Sequence, residues 1–102
     1  MEVQYFDDQL EEFIKNLEES TVAKVVRTVE LLRRFGHLLG MPHSKKVGSH
    51  LYELRIHGKQ KVRILYTFKG SVIMLLHGFI KKSSRIPTKE LQTALQKLAR
   101  LT

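Results

Sequence analysis

LYELRIHGKQKVRILYTFKGSVIMLLHGFI, Leu51 to Ile80, decides the fold. Its side chains repeat with period two, the signature of β-structure, because successive residues of a strand face opposite ways. Tyr52, Leu54 and Ile56 share one side, and Glu53, Arg55 and His57 the other. After a turn at Gly58-Lys59-Gln60, Val62, Ile64, Tyr66 and Phe68 oppose Lys61, Arg63, Leu65 and Thr67. Lys69-Gly70-Ser71 turns the chain again. VIMLLHGFI is then apolar on both parities, as a central strand covered on two faces must be. The stretch predicts an antiparallel meander. One parity supplies the core, and the other gathers Arg55, His57, Lys61 and Arg63 on a common, wetter face. His77, Phe79 and Lys81 share a parity in the third strand, which directs Lys81 to the same concavity.

Both flanks read as helical. Asp7 or Asp8 can cap a first helix whose stripe is Leu10, Phe13, Ile14 and Leu17. Ser20 or Thr21 can cap a second, with Val22, Val25, Val26, Val29 and Leu32 on one stripe, widened by Leu31 and Phe35, and Gly36 as its stop. Together they form a helical hairpin whose stripes need a surface to cover. Residues 36–50, rich in glycine, read as a loop. Pro87 and Thr88 open a last helix with Leu91, Ala94, Leu95 and Leu98 on one stripe.

The chain of 102 residues is long enough for one core and too short for two, so 1–102 is expected to be a single domain. It contains no cysteine, which excludes disulfides and thiolate metal sites and fits a reducing cytoplasm. Five histidines without a carboxylate at ligand spacing give no metal site. The acidic start, MEVQYFDDQLEEF, is no signal peptide, and no apolar run approaches the ~20 residues of a membrane helix. The expectation is a cytoplasmic protein without a membrane partner. Charge is segregated. Residues 1–42 hold eight acids and five Lys and Arg, a balance of −3, while residues 43–102 hold two acids and thirteen Lys and Arg, a balance of +11. An excess confined to part of a chain is the footprint of a polyanion site, and a solvated basic face is the plain alternative.

LYELRI, VRILYTF and LLHGFIKKSSRIPTKELQTAL, in that order and spacing, closely resemble the HigB branch of the RelE/ParE toxin superfamily, specifically its phage-derived HigB-like members. The resemblance runs nearly the whole chain and is most specific from Leu75 to Leu95. It implies an α+β, RelE-like fold: a small antiparallel β-sheet with an N-terminal helical hairpin on one face and a C-terminal helix. It also implies a type II toxin, a ribosome-dependent endoribonuclease that cuts mRNA in the ribosomal A site and needs no cofactor. The implied partner is a helix-turn-helix, HigA-like antitoxin that neutralises the toxin, commonly in a heterotetramer. Position by position, Arg55, Arg63 and the pair Lys81 and Lys82 match the basic residues of the family's site. The base-stacking tyrosine of RelE has no counterpart in IPTKEL, and the C-terminal histidine of other HigB toxins none in LARLT.

Cleaving RNA without a metal requires a base for the 2′-hydroxyl, cations for the charge gathering on phosphorus, and an acid for the leaving oxygen. Arg55 and Arg63 suit the middle task, since a guanidinium fork holds two phosphate oxygens and stays charged. Lys81 and Lys82 can act as point charges or grip RNA backbone. A lysine crowded by other cations can also serve as base. Lys61, His57 and Glu53 are further candidate proton carriers. Lys45, Lys46 and Arg85, with Lys61 and His57, complete the expected substrate-binding set. Each has a plainer reading: Arg63 neutralising Glu53, Lys81-Lys82 as a solvated strand end, His57 facing solvent, and His77 as a hydrogen-bonded core residue. Two other functions also stay open, a ParE-like gyrase inhibitor and a non-catalytic basic module that binds nucleic acid.

Overall fold

The computed structural model describes residues 1–101. Along the chain run β1 (Glu2–Tyr5), α1 (Asp8–Lys15), α2 (Glu19–Phe35), a 3-10 turn (Gly36–Leu38), β2 (Ser44–Gly48), β3 (Leu51–Ile56), β4 (Val62–Lys69), β5 (Val72–Ile80) and α3 (Thr88–Ala99). The five strands form one sheet in the order β1-β5-β4-β3-β2. The expected meander is present as β3, β4 and β5, paired antiparallel. Gly70, with φ of +60°, makes the short turn between β4 and β5 that a residue with a Cβ resists. β1 joins the outer side of β5 in parallel, so the sheet is mixed.

Both faces of the sheet are covered. Leu54, Ile56, Val62, Ile64, Tyr66, Ile73 and Leu75 pack with Leu10, Ile14, Val25 and Leu32 of α1 and α2. On the opposite face Leu51, Leu65, Leu76 and Phe79 pack with Ala94 and with Leu91 and Leu98 of α3. Leu65 and Thr67, expected on the wetter parity, are therefore buried. A β-bulge makes this division possible: Leu65 pairs with His77 but Tyr66 with Leu75, leaving Leu76 extra. Gly78 then faces α1. A Cβ there would stand 2.8 Å from Phe13 Cε2 and 3.1 Å from Leu10 Cδ1, so the close approach of α1 to β5 requires glycine.

Several local expectations change. Asp7 does cap α1, accepting the Leu10 amide at 3.0 Å. α2 instead starts at Glu19 without a side-chain cap, and Ser20 and Thr21 lie inside it. Its buried stripe is centred on Thr21, Val25, Thr28 and Leu32, one step round the helix from the expected centre, which leaves Val26 62 % exposed. Phe35 is half exposed at the helix end, and Leu95 of α3 is 44 % exposed for the same rotational reason. The supposed loop 36–50 contains β2, paired to β3 with Ser44 opposite Leu54 and a bulge before Gly48. Its short, lysine-bearing sequence suits an edge strand, where charge discourages further pairing. No helix among the described residues is long and apolar enough to cross a membrane.

Candidate active site

α3 covers only part of its face of the sheet. Beyond its N-terminus the strands open into a pocket of about 230 Å³ lined by Lys45, Val47, Glu53, Arg55, Arg63, Phe79, Lys81, Ser83, Ser84, Arg85 and Ile86. Period-two geometry builds it. Lys45 of β2 pairs with Glu53 of β3, and Arg55 of β3 pairs with Arg63 of β4, which pairs with Phe79 of β5. These positions share one face, so neighbouring strands present their polar side chains side by side, roughly 5 Å apart at Cβ.

Directly opposed like charges destabilise a sheet. Glu53 offsets this, since it is only 5 % exposed and lies against both guanidinium groups. Arg55 Nε donates to its Oε1 at 2.9 Å, and Arg63 Nε stands 3.7 Å from its Oε2. Arg63 is itself 4 % exposed and donates through Nη1 to the Val62 carbonyl at 3.1 Å. Burial pushes the Arg63 guanidinium below its ordinary value; Glu53 opposes that shift and Arg55 adds to it. Arg63 is thus a charge held where water solvates it poorly, with donors aimed by packing. The expected neutralisation of Arg63 by Glu53 is present, yet one carboxylate stands among five cations of the lining.

Strand β5 ends at Ile80, and the run into Lys81-Lys82 has a geometric answer. The Lys81 amide donates to the Lys61 carbonyl at 2.7 Å, which continues the ladder one step and keeps Lys81 on the Phe79 face. Lys82 falls to the other side. It lines a neighbouring groove of about 250 Å³ with Lys61, Lys81 and Ser83. The chain then bends over the pocket, with Ser83 Oγ donating to the Arg85 carbonyl at 3.1 Å. Arg85 and Ile86 form that rim.

Of the residues expected at the site, Arg55, Arg63, Lys81, Lys45 and Arg85 come together, and Lys61 and Lys82 adjoin them through Lys81. Two do not. Lys46 pairs with Tyr52 and so belongs to the α2 side of the sheet. His57 follows the last residue of β3 and loses the strand's alternation. It turns toward α2, where it lines a groove with Lys24, Arg27, His43 and Arg55. His77 is a partly buried hydrogen-bonded residue, its Nε2 at 2.7 Å from Glu90 Oε1 of α3. Sequence reasoning left out Ser83, Ser84, Val47 and Ile86, which carry no periodic signal. Phe79 was readable from its parity with Lys81.

Chemically, the pocket offers forked and point-charge donors to a phosphodiester. Both oxygens of Glu53 face arginines, so Glu53 orients the fork. Among the described residues no group of three or more His, Asp or Glu is placed to hold a metal ion. The residues present do not specify one general base.

No curated protein matches the chain. Among solved structures, the fold is similar to that of the heterotetrameric YoeB–YefM toxin–antitoxin complex from Staphylococcus aureus, with 22 % identity over 74 % of this chain and 90 % of that one and a TM-score of 0.57. A second YoeB–YefM complex from Staphylococcus aureus gives 21 % identity over 81 % and 97 %, with a TM-score of 0.59. The α+β, RelE-like fold expected from the sequence is therefore the one observed. Residues 12–99 match the family described as phage-derived protein Gp49-like, and the chain belongs to that family.

Proposed function

We propose that this chain is the toxin of a type II toxin–antitoxin pair, of HigB-like type, and that it cuts mRNA in the ribosomal A site. Attack of the substrate's own 2′-oxygen on phosphorus expels the 5′-oxygen and leaves a 2′,3′-cyclic phosphate. The observation that carries this reading is the opposed pair Arg55 and Arg63, oriented by one buried Glu53, with Lys81 beside them. Such a set stabilises charge developing on a phosphorane without reorganising at the moment of reaction. Arg63 and Arg55 take the non-bridging oxygens, Lys81 holds the attacking or leaving side, and Lys45, Lys82 and Arg85 grip flanking backbone. A cytoplasmic location and a HigA-like antitoxin partner follow from this reading, as does a heterotetrameric complex of the kind described for YoeB and YefM.

In a translation extract pulsed with the protein, mRNA should acquire new ends within coding codons. Arg63→Ala should slow cutting by roughly 10²–10³-fold, the scale of losing one oriented transition-state donor. Undiminished cutting by that variant refutes the assignment. Inhibition of gyrase supercoiling with no mRNA ends would place the chain with ParE-like toxins, and harmless overexpression would leave a basic binding module.

A further inference from the structure

The acidic half of the chain also contributes to the cationic surface. Lys24 and Arg27, one turn apart on α2, line a groove of about 170 Å³ with His43 and His57, and Arg55 closes its inner end. Lys24 is held in place: its ammonium donates to the His57 carbonyl at 3.0 Å, and its stem lies over Gly58, where a Cβ would stand 3.0 Å from Lys24 Cδ. Neither Lys24 nor Arg27 forms an ion pair among the described residues, and the groove's lining contains no carboxylate. Adjoining the main pocket through Lys81, the groove of Lys61, Lys81 and Lys82 is equally free of acids. Arg55 belongs to the main pocket and to the α2 groove, and Lys81 to the main pocket and to the lysine groove.

Shared cations make these three concavities one path. We infer that it is a channel for consecutive phosphates of a single RNA strand, with Lys24 and Arg27 gripping the phosphate on one flank, Arg63 at the cut, and Lys61 and Lys82 gripping the phosphate on the other. The inference rests on the RNA-cutting reading and adds a subsite from α2. Of the ten acids, Glu53 alone lines any of the three concavities. A flexible single strand can bend through it, and its backbone charge is read without regard to base.

The test uses a 2′-O-methyl RNA oligonucleotide, which has no free 2′-hydroxyl and is not cut, titrated from about 50 to 200 mM salt. Lys24→Ala and Arg27→Ala should each lower the slope of log affinity on log salt by about 0.7, the value for one phosphate contact on a single strand. Binding at low salt should weaken several-fold. Lys89→Ala, exposed on α3 outside the channel, should change neither. Slopes unaltered by Lys24→Ala and Arg27→Ala overturn the channel. If Arg63→Ala still slows mRNA cutting to the expected degree in that case, the proposed function survives the loss. Wild-type protein that neither binds the oligonucleotide nor cuts mRNA ends both. If these variants lose only cosedimentation with empty ribosomes, the α2 cations hold ribosomal RNA and the single-strand path is wrong.

Discussion

Replacing Glu53 with glutamine removes a charge and almost nothing else. The side chain keeps its shape, and its amide oxygen can still accept from Arg55 Nε, now at 2.9 Å. The amide nitrogen, however, would turn a donor toward Arg63, 3.7 Å away and nearly without solvent. Breaking a buried ion pair on one side costs roughly 3–5 kcal/mol, because the surviving charge stays buried and unmatched. Arg55 is 24 % exposed and can recover water, which lowers the figure to about 2–4 kcal/mol. In urea unfolding this corresponds to a midpoint lowered by roughly 1–2 M at unchanged slope. Two further measurements make the cause specific. Glu53→Gln combined with Arg63→Met should recover most of the loss, because it removes the stranded guanidinium. Inorganic sulfate should stabilise Glu53→Gln more than the parent, since an anion seated between the arginines binds only the folded state. A loss below about 1 kcal/mol, or no recovery in the double variant, would refute the claim that Glu53 balances the arginine pair.

Two other outcomes are expected. Gly78→Ala should destabilise by about 1–3 kcal/mol in thermal unfolding by forcing α1 off β5, and adding Phe13→Leu should relieve part of it. Asp7→Asn keeps a capping side chain but strips the partner of buried Lys97, whose Nζ lies 3.0 Å from Asp7 Oδ2. Its loss should be about 1–2 kcal/mol at neutral pH, discounted because Asp7 is partly exposed. Burial alone raises the Asp7 carboxyl, but the Leu10 amide and the Lys97 ammonium outweigh it and hold the group below its ordinary 3.8. Below that value the unfolded chain takes the proton first, so this contribution is complete above pH ~4 and fades as pH falls toward the folded value. Acid-unfolding curves of parent and Asp7→Asn should therefore converge at the acid end; a constant gap would refute the pairing.

Much of the site was legible because strand alternation is a strong signal. Arg55 and Arg63 fall on one parity, and pairing puts them opposite one another. Lys81 followed from Phe79. The signal fails where the alternation stops, as at His57 just past β3, and where a bulge resets it at Leu76. β2 went unread because SKKVG is short, charged and glycine-ended, which resembles a loop until a neighbouring strand pairs with it. Val26 and Leu95 show a second limit: an apolar stripe gives a helix's orientation only to about one residue step, and tertiary packing chooses the rest. Lys24 and Arg27 could not be assigned at all, since their role depends on where α2 crosses the sheet.

Residues 83–86 form the rim of the pocket yet belong to no strand or helix. The arginines below them are locked in a hydrogen-bonded sheet, so altering them disturbs both chemistry and stability. In the rim, Ser83, Ser84 and Arg85 are exposed and bear little of the fold, whereas Ile86 packs on the α3-side core. The three exposed residues can diverge between relatives, by substitution or insertion, while the strands beneath stay intact. Under the proposed function, such changes alter which strand the pocket admits without rebuilding the fold.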